Sequence, residues 1–252
     1  MDAFASRISD WIRERVREAG AKGVVVGLSG GLDSAVTAVL CKRAFPDTTL
    51  GLIMPCFSSR GDVEDARMVA KKFGIETKEI DISNVFKLFL NCLEEGTEKE
   101  EVDRAVANLK PRLRMMCLYY FANKLHYLVV GTGNKSEIAI GYFTKYGDGA
   151  ADILPLGDLL KTEERKLAVE LDIPGEIRDK VPSAGLWAGQ TDEAEIGMRY
   201  DELDKILFAL TGGDPGGASS GCDQTLVARV KELMDASRHK RAHIPVFCVS
   251  AE

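Results

Sequence analysis

The chain has 252 residues, 45% of them hydrophobic, and a formal net charge of −6, which suits one α/β domain with at most a small appendage and a sizeable core. The acidic balance supplies no general basic surface for nucleic acid or an anionic membrane, and no apolar run reaches membrane-spanning length. Six scattered cysteines (Cys41, Cys56, Cys92, Cys117, Cys222, Cys248) form no C-x-x-C pair and three histidines form no H-E-x-x-H, so the expectation is reduced thiols in the cytoplasm and no transition-metal site.

Within residues 2–19, Phe4, Ile8, Trp11, Ile12 and Val16 recur at three- and four-residue spacings, which predicts an amphipathic helix rather than a signal peptide. Val24, Val25 and Val26 predict a buried strand. It runs into Gly27-Leu28-Ser29-Gly30-Gly31-Leu32-Asp33-Ser34 and a helix to about Ala44. Strand, glycine turn and helix together form a phosphate cradle. Glycine permits positive φ and close backbone approach, and loop N–H groups and the helix N-terminus face an anion. Ser29 and Ser34 add hydroxyls, and Asp33 stands where a metal riding on phosphates can be held. An ordinary strand-to-helix turn is the plainer reading. The loop is neither G-x-x-x-x-G-K-[ST] nor G-x-G-x-x-G.

Thr49 to Met54 predicts a second strand, closed by Pro55. Residues 61–73 predict a helix with a stripe of Val63, Ala66, Val69, Ala70 and Phe73, capped by Gly74. A short strand over 75–80 and a helix over 85–93 follow. The alternation implies a doubly wound parallel sheet flanked by helices, with ligands at the carboxyl ends of its strands. The acidic run over 94–104 reads as a solvated loop and helix start. From Asn108 to Ala122 the pattern is helical and, over Met115 to Phe121, apolar nearly all round, which demands burial in the core or against a second subunit. Lys110, Arg112 and Arg114 at its start read as a solvated helix end or a local basic patch.

Tyr127 to Thr132 predicts the fourth strand, ending in a turn over Gly131 to Glu137. Glu137 is then a second carboxylate at the same sheet edge as Asp33. One carboxylate from each of two such turns suits Mg²⁺ bridging phosphates, whereas a surface first-turn acid is the plainer alternative. Residues 141–153, dense in glycine, aromatics and acids without a period, read as a binding loop. Residues 155–165 turn into a helix ending near Leu171, Pro174 opens a short helix, and 181–193 reads as an irregular cover. Helices over Tyr200 to Leu210 and Gln224 to His239 flank a glycine-rich surface connection at 211–221, and the tail 237–245 is basic. There is no internal repeat.

The S-G-G-x-D-S run from Ser29 to Ser34 resembles the pyrophosphate loop of the N-type ATP pyrophosphatases. Further motifs follow in order: N-x-K-x-R-x-R-M from Asn108, G-T-x-x-x-x-E from Gly131, Phe143-Thr144-Lys145-Tyr146-Gly147-Asp148-Gly149 with Asp152, Pro182-Ser183-Ala184-Gly185-Leu186, and His239-Lys240. With them, nearly the whole chain resembles the ammonia-dependent NAD synthetases. That resemblance implies a doubly wound α/β pyrophosphatase domain over 1–252, forming a tight homodimer with the dinucleotide bound across the interface. It also implies a two-step reaction: the nicotinate carboxylate of deamido-NAD attacks the α-phosphate of ATP, and ammonia then displaces AMP.

By the same resemblance, Gly27, Leu28, Ser29, Gly30, Gly31, Leu32, Asp33 and Ser34 hold ATP phosphates, and Thr132, Lys161 and Ser183 contact ATP. Asp33 and Glu137 hold Mg²⁺, while Arg112, Lys145, Asp152, His239 and Lys240 contact deamido-NAD. Asp33, Lys145, Asp152 and Lys161 carry the chemistry, with Lys145 or Asp152 steering ammonia or the carboxylate. Ser183 stands where many bacterial members have Thr, and Trp187 to Glu193 departs from the enteric pattern. Nothing in the sequence resembles the nitrilase-like domain of glutamine-dependent members, so free ammonia is the expected donor, with a separate glutaminase subunit left open. Two alternatives also stand at this point. One is another N-type pyrophosphatase, such as a GMP synthetase amination subunit or a tRNA-thiolating enzyme. The other is a non-catalytic nucleotide-binding protein on the same fold.

Overall fold

Val24, Val25 and Val26 are fully buried, because β-branched side chains suit a strand covered on both faces, and they form β1 (Val24–Gly27) inside a parallel sheet. The computed structural model describes residues 3–93, 103–187, 189–211 and 221–249. Before β1 lies α1 (Ala3–Glu18). After it come α2 (Leu32–Ala44), β2 (Thr49–Ile53), α3 (Arg60–Phe73), β3 (Glu76–Glu79), α4 (Ser83–Leu93), α5 (Arg104–Ala107) and α6 (Leu109–Leu125). The remaining elements are β4 (Leu128–Val130), α7 (Lys135–Ile140), α8 (Lys161–Glu170), α9 (Gly175–Arg178), α10 (Asp192–Ile196), α11 (Tyr200–Thr211), α12 (Gln224–Ala236) and α13 (Arg238–Arg241).

The strands lie parallel in the order β3-β2-β1-β4, with Val25 level with Leu50 and Val129. Val130 forms one further parallel bridge to Ile153. The chain builds outward from β1 to β3, then crosses to place β4 on the other side of β1. That reversal opens a crevice between the carboxyl ends of β1 and β4, the place where such sheets bind ligands.

Strand alternation explains why helices cover both faces. Val24, Val26 and Val130 enter a core with Ile12 of α1, Leu40 of α2, Val69 of α3 and Leu167 of α8. Val25, Leu50, Leu52 and Val129 point the opposite way, onto Leu118, Phe121 and Ala122 of α6. A smaller core joins Ile140 of α7, Tyr200, Leu203 and Leu207 of α11, and Val227 and Val230 of α12. No helix among the described residues is long and apolar enough to cross a membrane.

Three details differ from the sequence reading. In α1 the buried stripe is Ala5, Ser9, Ile12 and Val16, whereas Phe4 and Trp11 face outward under the guanidinium groups of Arg7 and Arg15. Small side chains let α1 approach α2, and the Ser9 hydroxyl is satisfied by donating to the Ala5 carbonyl at 3.0 Å. Next, of the two alternatives for α6, full burial in the core does not hold: one side packs on the sheet, but Met116 and Tyr120 are 62% and 58% exposed. Neighbouring α4 also exposes Leu88 and Phe89. Lastly, the helix expected to reach His239 breaks at Ser237, between α12 and α13. The acidic residues 94–101, most of the connection at 212–220, and Ala188 in the cover segment lie outside the described residues.

Candidate active site

The glycine loop after β1 is built around Gly30. Its φ is +82°, and a Cβ there would stand 2.2 Å from the Asp62 carbonyl oxygen, so glycine alone lets the first turn of α3 sit on the loop. The two serines brace the turn. Ser34 Oγ accepts from Ser29 N at 3.2 Å and from Ser29 Oγ at 3.0 Å, and donates to the Gly31 carbonyl at 2.9 Å. Ser29 Oγ also accepts from Gly31 N at 3.2 Å. Gly31 caps α2 without a side-chain hydrogen bond, so the first-turn N–H groups of α2 form an anion-binding end at the cavity wall.

The turn after β4 supplies the opposing wall. Asn134 Oδ1 accepts from Glu137 N at 3.0 Å while Glu137 Oε2 accepts from Asn134 N at 3.3 Å, a reciprocal cap that fixes the Glu137 side chain at the start of α7. The Asn134 side-chain amide donates to Asp33 Oδ1 at 2.7 Å and to Glu164 Oε2 at 3.2 Å. Lys161, which opens α8, is 1% exposed. Its Nζ lies 2.6 Å from Asp33 Oδ1, 3.3 Å from Glu164 Oε2 and 3.9 Å from Glu137 Oε1. Its backbone N–H donates to Ser136 Oγ at 2.9 Å, while Asp204 Oδ2 accepts from Thr162 N at 2.8 Å and Asp204 Oδ1 accepts from the Ser136 hydroxyl. Buried Asp204 therefore locks the start of α8 to α7.

The carboxylates outnumber the ammonium. Burial works to raise the Asp33 carboxyl, but Lys161 and hydrogen bonds from Glu164, Lys161 and Asn134 outweigh it and hold Asp33 below the usual range. Glu137 is pushed up to about 8, first by burial and then by the neighbouring Asp33 charge. Burial and Asp33 likewise raise fully buried Glu164 well above its ordinary value. The all-oxygen set fits a hard divalent cation, and the raised carboxyls of Glu137 and Glu164 mark a site short of positive charge. Asp33 and Glu137 converge from adjacent strand ends, and no trio of His, Cys, Asp or Glu among the described residues could hold a metal by itself. Two carboxylates alone would leave most of such a cation's shell to other oxygen donors.

The other residues expected at the site divide into two groups. Thr132 and Ser183 line the same cavity of about 1180 Å³ as Asp33, Glu137 and Lys161. Lys240 lines it too, but its ammonium donates to the carbonyls of Gly141 at 2.7 Å and Phe143 at 2.8 Å, bracing the aromatic-glycine loop. Arg112, Lys145 and His239 stand outside the cavity wall as one string: Arg112 donates to the Lys145 carbonyl at 3.4 Å, and Lys145 Nζ donates to the His239 carbonyl at 2.7 Å. Asp152 stands on the far flank of β4. It accepts from Val129 N at 2.7 Å and from the Tyr119 hydroxyl at 3.2 Å, and it is not gathered with Asp33. Burial and Asp152 push the Tyr119 phenol up to about 12.

Sequence reasoning missed Asn134, Glu164, Asp204 and two cations. Lys110 and Arg114 are not a solvated helix end. Lys110 Nζ donates to the Leu186 carbonyl of the cover segment at 2.5 Å and lies 5.8 Å from the Phe86 ring centre. Arg114 Nε donates to the Met54 carbonyl at 3.1 Å, and burial lowers both cations from their ordinary values. Two signals were available. Asn134 and Glu137 have capping-box spacing, and Lys110 and Arg114 are four apart, which places them on one helix face with Arg112 turned away. The cover segment is tied down further by Leu186 N donating to Gln190 Oε1 at 2.7 Å and Asp192 N donating to the Pro182 carbonyl at 3.0 Å. Glu137 is 16% exposed at its side chain and so is no surface helix acid.

Comparison with known proteins matches residues 4–244 to the NAD synthase family. A protein of Carboxydothermus hydrogenoformans named NH(3)-dependent NAD(+) synthetase is 48% identical over 235 residues, 93% of each chain. Among solved structures, the NMN synthetase of Francisella tularensis superposes with a TM-score of 0.85 at 37% identity, covering 98% of both chains. The NH3-dependent NAD synthetase of Campylobacter jejuni, in complex with nitrate, gives a TM-score of 0.84 at 32% identity with the same coverage.

Proposed function

The chain belongs to the NAD synthase family, and from that premise we infer how its cavity carries out the ATP-dependent amidation of deamido-NAD to NAD with ammonia. In the first step a nicotinate carboxylate oxygen attacks the α-phosphorus of ATP. The bond to the bridging oxygen breaks, and its electron pair leaves with pyrophosphate. In the second step ammonia adds to the acyl carbon, AMP departs with the acyl–oxygen electron pair, and the nitrogen loses one of its three protons to leave the amide. The substrate is its own nucleophile, so the protein's task is to position three anions and offset the charge that develops on the phosphates.

One observation carries the assignment of roles: Asp33 and Glu137, from neighbouring strand ends, converge on the buried Lys161 ammonium beside the glycine loop. In our reading the loop from Gly27 to Ser34 holds the triphosphate, Thr132 and Ser183 contact ATP, and Lys161 offsets phosphate charge. Asp33 and Glu137 would hold Mg²⁺, which when bound neutralises charge on the departing pyrophosphate. Arg112, Lys145, Asp152, His239 and Lys240 form the deamido-NAD surface, with Lys145 or Asp152 steering ammonia or the carboxylate. The string of Arg112, Lys145 and His239 outside the cavity is compatible with a dinucleotide shared between two copies. The unpartnered apolar strip of α4 and α6 supports a homodimer. In our reading the chain is one pyrophosphatase domain, and six cysteines outside any disulfide support a reducing, cytoplasmic setting.

The test is a mass balance. Wild-type protein with ATP, Mg²⁺, deamido-NAD and ammonium should form NAD, AMP and pyrophosphate in equal amounts. Asp33→Asn should form none of them at a comparable rate. Equal rates in the two proteins would remove Asp33 from the chemistry.

A further inference from the structure

A second cation reaches the glycine loop from the side of α3. Lys180 follows α9 and stands at the root of the cover segment. Its Nζ lies 2.6 Å from Asp62 Oδ1 and 2.7 Å from Asp65 Oδ2, both on α3, and 3.3 Å from the Gly30 carbonyl in the middle of the loop. Asp62 is itself braced by Ser59, whose hydroxyl donates to Asp62 Oδ2 at 2.7 Å. The Lys180 side chain is 32% exposed, so the ammonium is only partly enclosed. Burial lowers it, and the two carboxylates more than restore it. Two residues earlier, Arg178 lines the same cavity, and its Nε is buried without a hydrogen-bond partner. An orphaned buried donor two residues from a partly exposed ammonium, both at the wall of the cavity that holds the glycine loop, is suited to receive an anion.

We propose that Lys180, with Arg178 beside it, receives the β- and γ-phosphates of ATP and holds the pyrophosphate as it leaves. This deepens the proposed function and rests on its assignment of the glycine loop to the triphosphate. When ATP is absent, Asp62 and Asp65 hold the ammonium in place. When the triphosphate enters, phosphate oxygens compete with them, and Lys180 turns from α3 into the cavity without crossing it. Because Lys180 is the first residue of the segment that carries Ser183 and Leu186, the same movement draws that segment toward the phosphates. Lys161 and Lys180 then grip the triphosphate from two sides. The bond broken in the first step lies between the α-phosphorus and the group they grip.

The experiment uses the full chain and inorganic pyrophosphate as the probe. In steady-state amidation, pyrophosphate inhibition against ATP is compared with AMP inhibition for wild type, Lys180→Met, Lys180→Arg and Asp65→Asn. Lys180→Met should weaken pyrophosphate inhibition about tenfold, as expected for losing one charge-assisted contact, with AMP inhibition unchanged. Lys180→Arg should restore most of the loss. Asp65→Asn should strengthen pyrophosphate inhibition about threefold, because it removes a competitor for the ammonium. A purely structural ion pair predicts the opposite for Asp65→Asn, namely weakening in parallel with Lys180→Met. That result, or unchanged pyrophosphate inhibition in Lys180→Met, overturns the proposal. Direct titration of pyrophosphate with Mg²⁺, read by calorimetry, gives the same comparison without turnover. Absence of NAD formation by wild type would therefore defeat the proposed function while leaving the Lys180 contact separately measurable.

Discussion

The side-chain amide of Asn134 donates to Asp33 Oδ1 at 2.7 Å, across the boundary between β4 and β1. The same residue caps α7 and fixes Glu137. One asparagine thus sets the separation of the two carboxylates proposed to hold Mg²⁺. Asn134→Ala should leave both carboxylates in place but ungoverned. Expected is a fall in kcat of about tenfold to a hundredfold with a higher Mg²⁺ requirement, the size usual for lost orienting partners of metal ligands. Unchanged Mg²⁺ dependence would show that the amide serves only the helix cap.

At nearly constant volume, Asp33→Asn removes a carboxylate charge and Glu137→Gln removes a carboxyl able to ionise when a cation binds. Both should fold normally and lose roughly 10²–10³ in adenylation rate, the scale of losing one preorganised electrostatic partner. Far-ultraviolet circular dichroism beside single-turnover AMP formation separates the two effects. Wild-type turnover in either variant would withdraw the metal assignment.

Lys161 is a different case, because its ammonium is enclosed by Asp33, Glu164 and Glu137. Removing it leaves buried carboxylates without a counter-charge, at a cost of about 3–5 kcal/mol. Lys161→Ala should therefore lower Tm by roughly 10 °C as well as abolish activity, given about 2–4 °C per kcal/mol for a chain of this size. A variant that is inactive but as heat-stable as wild type would mean the carboxylates shed their charge by taking up protons.

Much of this arrangement was legible in the residues. Three consecutive valines before a glycine loop identified the central strand, and the βαβα order identified the sheet. Asp33 and Glu137 were readable as neighbours because each opens the helix that follows a strand, and the carboxyl ends of adjacent strands share one edge of a doubly wound sheet. What could not be read was which way side chains turn once helices pack. Lys110 and Arg114 looked like a solvated helix end, and only the positions of the cover segment at Leu186 and of the end of β2 at Met54 turn them inward. Asp152 sits in a motif beside the aromatic-glycine loop, yet its carboxylate bends back to the β4 backbone. Asp204 acts from a helix distant in sequence, and no local spacing announces it.

Gly30→Ala tests the seat between the loop and α3. A methyl group there meets the Asp62 carbonyl at 2.2 Å in a backbone with φ of +82°. The variant should lose at least 1–3 kcal/mol of stability, about the cost of one strained residue, and most ATP affinity. Calorimetric unfolding with ATP titration gives both values. A fully active Gly30→Ala would show that α3 can lift from the loop freely.

The cysteines give a prediction about pH. Burial raises the thiols of Cys41, Cys56 and Cys117, so their thiolate fractions at pH 8 fall below that of an ordinary thiol. Exposed Cys92 and Cys248 should therefore react first with a thiol reagent. Labelling of the other three should accelerate only as pH rises past the ordinary thiol value of about 8.5. Mass spectrometry of peptides after timed alkylation reads the order.

The apolar strip of α4 and α6 gives a last structural test. Light scattering at micromolar concentration should report a dimer, and Leu88→Asp or Tyr120→Asp should shift it to monomer. A wild-type monomer would contradict the shared-substrate arrangement.

The most direct measurement of the central claim is amide formation. The protein is incubated with ATP and Mg²⁺, with deamido-NAD or its mononucleotide counterpart as acceptor, and with ammonium or glutamine as nitrogen source. NAD from deamido-NAD with ammonium, accompanied by AMP and pyrophosphate, is the predicted result. AMP and pyrophosphate without NAD, or amidation confined to the mononucleotide, would contradict the account.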